Sequence, residues 1–222
     1  MITLSLYDGT FVFLISILYS LIEIELEAAH GWCKNIPTAK NVIGTFTLYH
    51  IYMMIFMTVV ISMIFIPRFV IACQTSEFTP WSAVCHFLFY LLAWFLIEDF
   101  LWFVLNPYYT IQKYTQKNIP WHTKWIMGIP VHNIVGILGL AALAFIEHTW
   151  SLWIALAVFT VLLILTCFVS PSYHALYWQL HGKSDPSAKD NFTDNNGIKG
   201  GGDSSDPSCV CAAENEEKEH NT

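Results

Sequence analysis

The segment FLIEDFLWFVLNPYY (residues 95–109) places two adjacent carboxylates, Glu98 and Asp99, inside an otherwise apolar and aromatic run. On membrane-insertion scales a carboxylate at the centre of a spanning helix costs about 2.5–3.5 kcal/mol, so the pair costs about 5–7 kcal/mol. The fourteen Leu, Ile, Phe and Val residues between 82 and 105 contribute roughly 4–8 kcal/mol of favourable insertion free energy on that scale. The helix can therefore insert, but the two acids offset most of the favourable insertion free energy of its apolar residues. Acids kept at such a cost are expected at a functional site in a membrane.

The composition of the whole chain is that of a membrane protein. Of its 222 residues, 55% are hydrophobic and only 12% are charged, whereas a soluble domain carries about 25% charged residues. The mean hydropathy is +0.49. Five apolar segments are each near the roughly 20 residues that a 30 Å hydrocarbon layer requires; they lie at about 9–28, 46–72, 82–105, 126–146 and 151–169. The sequence therefore predicts an all-α integral membrane bundle of about five transmembrane helices.

The last forty or so residues have a different composition. Before them, Tyr173, Leu176, Tyr177 and Leu180 fall on one helical stripe, which predicts a short interfacial helix at 173–182 lying on the membrane surface. Residues 184–222 are mostly Gly, Ser, Asp, Asn and Glu, which predicts a disordered acidic tail after a membrane domain at 1–183. The net charge of −7 gives no basic surface for nucleic acid.

The basic residues predict the orientation of the bundle. Nine of the ten Lys and Arg residues lie in the first loop, in the third loop or after the fifth apolar segment, and Arg68 alone lies toward the other side. Because cytosolic loops carry the excess of Lys and Arg, we expect these loops and the C-terminus in the cytosol and the N-terminus outside. The tail would then be available to a cytosolic partner.

Several polar side chains are predicted to share one layer near the cytosolic face. Asp99 lies about six residues, or roughly 9 Å, from the cytosolic end of its helix, and Glu23 lies at a similar depth on the first helix. His50 and His132 stand near the cytosolic ends of the second and fourth helices. Since acids and imidazoles inside a membrane are costly, their convergence from four helices favours a functional site.

Other polar residues need no special role, because helix ends at an interface are normally polar. We place Glu27, His30, His122 and His174 in this class, although Glu27 shares a helical stripe with Glu23. On the outer side, His86, Glu147 and His148 are expected to face solvent.

Imidazole and carboxylate ligands suit zinc, iron or manganese. The leading interpretation is a metal-dependent enzyme acting on a lipid or other apolar substrate at the cytosolic leaflet. The metal ligands would be Glu23, His50, Asp99 and His132, with Glu98 or Glu27 as proton acceptor. The chain has none of the histidine-box spacings of membrane desaturases and no HExxH. A cation- or proton-coupled carrier and a non-catalytic membrane scaffold stay open as alternatives.

Three segments resemble a family of small multi-pass membrane proteins of microbial origin. They are EIELEAAHGWCKNIPT (23–38), IEDFLWFVLNPYY (97–109) and PWHTKWIMGIP (120–130). The resemblance implies one integral membrane domain followed by a tail, and it supplies no catalytic residue.

The predicted orientation has a direct test. An epitope tag at the C-terminus should be inaccessible to antibody in intact cells and accessible once the plasma membrane is permeabilised, because the basic residues hold that end in the cytosol. Labelling of the C-terminal tag in intact cells would contradict the topology and move the polar layer to the outer leaflet.

Overall fold

A computed structural model describes residues 2–29, 41–43, 46–74, 79–119, 122 and 124–182. These residues form α1 (Ile2–Glu27), α2 (Leu48–Gln74), α3 (Pro80–Leu105), α4 (Val131–Glu147) and α5 (Trp150–Leu180). Two short antiparallel hairpins precede α2 and α4; they are β1 (Asn41–Ile43) with β2 (Phe46–Thr47), and β3 (Trp125–Ile126) with β4 (Ile129–Pro130). The prediction of an all-α membrane bundle is confirmed.

Four of the helices are long and apolar enough to cross a membrane, namely α1, α2, α3 and α5. The fifth, α4, is apolar but has only 17 residues, which is the lower end of the roughly 17–25 residues used by spanning helices. Large apolar side chains cover the outside of the bundle, as Phe56 on α2 and Phe168 on α5 illustrate with exposed fractions of 58% and 78%. Hydrocarbon is the solvent that such a surface requires.

The helix with the two adjacent acids, α3, lies at the centre of the bundle. It packs against α1, α2, α4 and α5, and Phe89, Tyr90 and Leu101 along it are fully buried. A helix that is apolar all round is one that other helices surround. Its contact with α4 is especially close at Gly136, where a Cβ atom would lie 2.4 Å from Cδ2 of Leu96.

The C-terminal helix is longer than the sequence predicts. The separate interfacial helix expected at 173–182 is instead the last part of α5, which continues through Pro171 to Leu180. Proline lacks an N–H group and leaves the carbonyl four residues earlier without its helical donor. The hydroxyl of Ser170 donates to that carbonyl, on Cys167, over 3.0 Å. The neighbouring serine thus supplies the hydrogen bond that Pro171 removes.

The contacts divide the chain into two units, Met1–His181 and Gly182–Thr222. The helices belong to the first unit. The predicted disordered tail at 184–222 lies outside the described residues.

The role of Ser170 predicts a non-additive pair of mutations. Ser170→Ala should lower the free energy of unfolding by about 0.5–1.5 kcal/mol, because the carbonyl of Cys167 loses the hydroxyl that donates to it. In a Pro171→Ala background the same change should be nearly neutral, since the backbone N–H of the introduced alanine restores the helical bond. Thermal unfolding in detergent measures both effects.

Ser172→Ala is the matched control, because Ser172 is exposed on the same turn. Equal effects of Ser170→Ala with and without Pro171 would show that the serine does not compensate for the proline.

Candidate metal centre

One end of the bundle gathers the acidic and imidazole side chains. There α1 and α3 end and α2 and α4 begin, because successive helices run in opposite directions. A cavity of about 770 Å³, called the polar cavity below, lies at this end. Its lining includes four carboxyl groups, on Glu23, Glu27, Glu98 and Asp99, and three imidazoles, on His50, His122 and His132. All six residues predicted as ligands or proton acceptors therefore line one cavity, together with His122.

Asp99 lies between two histidines. Its Oδ2 is 3.3 Å from Nε2 of His132, and its Oδ1 is 3.6 Å from Nε2 of His122. The two imidazole rings are themselves in contact, with centroids 4.6 Å apart. Asp99 comes from α3, His132 from the first turn of α4, and His122 from the connection between them. These three side chains are called the Asp99 triad below.

The Asp99 triad brings together ligand atoms of the kinds that bind zinc, iron or manganese. One ligand atom from each residue lies within 4.8 Å of the other two. Two ligands of one zinc or iron ion, each at about 2.0–2.2 Å, are separated by at most about 4 Å. Both carboxylate–imidazole distances meet this limit. Two histidines and one carboxylate also form the facial ligand set of non-haem iron enzymes.

The connection before α4 folds back so that His122 reaches Asp99. The backbone carbonyl of His122 accepts a hydrogen bond of 2.5 Å from Nε1 of Trp125. The imidazole ring of His122 packs edge-on against the ring of Phe103, with the two centroids 5.8 Å apart. The β3–β4 hairpin then turns at Met127 and Gly128, both with positive φ. From the sequence, His122 was expected to be an ordinary interfacial residue. A glycine such as Gly128 between apolar residues is typical of a hairpin turn. That pattern could have indicated that the chain turns back toward the bundle before α4.

A second pair of acids, Glu23 and Glu98, lines the same cavity. The side chain of Glu23 lies beside those of Glu98 and Tyr19, and the hydroxyl of Tyr49 donates to Oε1 of Glu23 at 3.4 Å. The backbone carbonyl of Glu98 also accepts from the hydroxyl of Ser20 at 3.1 Å, which fixes α1 against α3 at this level.

The two remaining predicted site residues, His50 and Glu27, line the cavity outside the Asp99 triad and the Glu23–Glu98 pair. His50, in the first turn of α2, places Nδ1 at 2.8 Å from the hydroxyl of Thr47. Glu27 is 5% exposed at the end of α1. Of the four predicted ligands, Asp99 and His132 therefore come together, Glu23 pairs with Glu98 instead, and His50 is held by Thr47.

The ends of α1 and α3 are joined by the fully buried Asn106. Its Nδ2 donates to the carbonyl of Ala28 at 3.0 Å, and its Oδ1 accepts from the N–H of Tyr108 at 3.0 Å. The hydroxyl of Tyr109 donates to the carbonyl of Ala29 at 2.9 Å. Burial, and then the nearby carboxylate of Glu27, raise the pKa of Tyr109 to about 12. The phenol therefore stays protonated and remains a donor near neutral pH.

The opposite end of the bundle contains a second buried polar group. The prediction that His86 and Glu147 face solvent is wrong: His86 is 9% exposed, and the side chain of Glu147 is 6% exposed. The hydroxyl of Ser82 donates to Glu147, and Nε2 of His86 lies 3.1 Å from the hydroxyl of Ser151. Because α3, α4 and α5 pack together there, the polar residues at their ends meet one another.

His174 is also more than an interfacial residue. It is buried on α5, and its Nε2 donates to the carbonyl of Val104 at 3.0 Å. This bond joins the end of α5 to the end of α3.

The sequence matches no protein-family model, and neither a curated protein nor a solved structure shows significant similarity to it. The function is therefore argued from the geometry of the polar cavity.

The joint at Asn106 predicts a stability effect. Asn106→Ala should cost about 1–3 kcal/mol, because buried polar groups at the ends of α1 and α3 lose their hydrogen-bond partners. Asn118→Ala, in the exposed loop after α3, is the control and should change stability little. Thermal melting of both variants in the same detergent gives the comparison. Equal melting temperatures would show that Asn106 does not join the helices.

Proposed function

We propose that the protein is a metal-dependent membrane enzyme that acts on a lipid or other apolar substrate. The observation that carries the proposal is the Asp99 triad, one carboxylate and two imidazoles converging at a cavity within the bundle. The distribution of basic residues favours a position of this end of the bundle at the cytosolic leaflet.

The geometry supports a ligand set that differs from the sequence prediction. Asp99, His122 and His132 are the ligands, while Glu23 and His50 lie outside this group. Zinc, iron and manganese all accept such donors. When bound, the metal would activate water against an ester or amide bond, or activate oxygen against an acyl chain.

The chain's own residues supply the proton chemistry. The carboxyl groups of Glu23 and Glu98 lie beside each other in the same cavity as the triad, so a proton released at the triad has a carboxylate there that can accept it. Asp99 is close enough to interact electrostatically with both. Glu98 is therefore the better candidate for the proton acceptor, and Glu27, at the end of α1, is the second.

A cation- or proton-coupled carrier is the second candidate. The buried polar group at Ser82, His86 and Glu147 favours it, because a carrier needs polar side chains toward both faces of the membrane. Between the two ends, however, the hydroxyl of Ser16 donates to the carbonyl of Val12 in its own helix. A serine bonded in this way is satisfied locally and provides no relay. The enzyme is therefore preferred to the carrier, and also to a non-catalytic scaffold, which requires no such triad.

Metal analysis of purified variants tests the ligand set. Asp99→Asn, His122→Ala and His132→Ala should each lower metal affinity by more than about 10–100-fold, since the loss of even an outer-shell partner has that effect. The triple mutant should lose little more than each single mutant, because the three residues act as one unit. Asp99→Asn removes the intramembrane charge and should leave the melting temperature of the metal-free protein nearly unchanged, whereas His122→Ala and His132→Ala each remove a partner of Asp99 and should lower it.

His50→Ala is the matched control, because it removes an imidazole from the same cavity but from outside the triad. It should retain the metal, as should Glu23→Gln. Metal loss in His50→Ala and Glu23→Gln but not in His122→Ala would restore the ligand set predicted from sequence. Wild-type protein without stoichiometric metal would refute the metal enzyme and favour the carrier.

A further inference from the structure

The lining of the polar cavity is polar near the end of the bundle and apolar closer to the middle of the helices. Three helices each contribute a polar side chain near their cavity end and an apolar one about a turn closer to their middle. The pairs are His50 and Met54 on α2, Asp99 and Leu96 on α3, and His132 and Gly136 on α4. On α3 the apolar lining continues to Leu92, seven residues or about 10 Å below Asp99. The cavity thus has a polar part near the end of the bundle and an apolar part closer to the middle of the helices.

The apolar part of the cavity opens sideways. Both α2 and α4 pack against α3, and the described residues show no comparable packing of α2 against α4. Phe95 on α3 and Val135 on α4 line the cavity, yet they are 37% and 62% exposed. A residue that lines a cavity and is also exposed on the flank of a membrane bundle marks an opening toward the hydrocarbon layer.

The size of the cavity limits what it can hold. Its volume of about 770 Å³ falls in the range of about 300–1,000 Å³ typical of pockets that bind one drug-sized molecule. One hydrocarbon chain with a small polar end fits this space, and a complete two-chain phospholipid does not.

We propose that the substrate is a single-chain amphiphile that enters from the bilayer between α2 and α4. Its polar end lies at the Asp99 triad, and its chain runs past Leu96 toward Leu92. This is the orientation that the molecule already has in the leaflet, so it enters the cavity without turning over. The inference rests on the proposed function, because it names the substrate class of the same site.

Photolabelling tests where the chain lies. The probe is a palmitic acid analogue with a diazirine midway along its chain and a terminal alkyne, added to the protein in phosphatidylcholine nanodiscs. We expect saturable labelling of peptides that contain Leu92, Leu96 or Met54, and competition by unlabelled palmitic acid. A phosphatidylcholine that carries the same diazirine chain should label these peptides far less.

Two substitutions on α4 provide a matched pair. Val135→Trp fills the lateral opening and should lower labelling of these peptides by about tenfold, the change in an equilibrium constant that overlap with one large side chain produces. Leu138→Trp adds the same ring on the same helix at a residue that is 64% exposed and outside the cavity lining. It should leave the labelling unchanged.

Three results would overturn the inference: labelling that palmitic acid does not compete, equal labelling of the two tryptophan variants, or equal labelling by the two-chain probe. The Asp99→Asn variant separates this inference from the proposed function, because the chain lies one to two turns below the triad and labelling should persist. Absence of metal in the wild type together with competed labelling would refute the metal enzyme while leaving the amphiphile in the cavity.

Discussion

The burial of carboxyl groups in a hydrocarbon layer is the constraint on which the rest of this structure depends. An unpaired carboxylate in this position is costly, and the cost falls only if other side chains are brought to it. The structure meets this requirement separately for the two acids of α3. Asp99 is placed between His122 and His132, while the carboxyl group of Glu98 lies beside that of Glu23.

These partners come from different elements, so the ends of the helices must be held in fixed positions relative to one another. Asn106 joins the end of α3 to the end of α1, and His174 joins the end of α5 to Val104. Nε2 of His181, after α5, is 3.2 Å from Oε2 of Glu25 on α1. Together these bonds hold the ends of α1, α3 and α5 beside one another at the end of the bundle where the polar cavity lies. Gly136 adds a close approach of α4 to α3 beside it.

The parts of this arrangement that follow from helix position could be predicted from the sequence. The depth of Glu23 and Asp99 can be counted from the ends of apolar segments, and the sequence therefore identified a shared polar layer. The contribution of His122 could not be counted in this way, because it depends on how a connection between helices folds back. The burial of His86 and Glu147 was missed for a related reason. Periodicity gives the face of a helix, but it does not show which other helix covers that face.

The extent of α5 shows a different limit of the sequence reading. Pro171 is a strong local signal for a helix end, yet the hydroxyl of Ser170 reaches the carbonyl that the proline leaves without a donor. Local compensation of this kind is expected in membrane helices, where no water can satisfy a free carbonyl. A proline beside a serine in an apolar segment is therefore weaker evidence for a helix end than a proline in a soluble helix.

The adjacency of Glu98 and Asp99 explains why one cavity holds two kinds of chemistry. Consecutive residues on a helix point about 100° apart, so α3 directs one acid toward α1 and the other toward α4. Both line the cavity. In the proposed enzyme, the carboxyl pair on the α1 side would serve proton transfer, and Asp99 with the two imidazoles on the α4 side would serve metal binding. One pair of residues in α3 thus belongs to both groups, which Glu23 of α1, His132 of α4 and His122 before α4 complete.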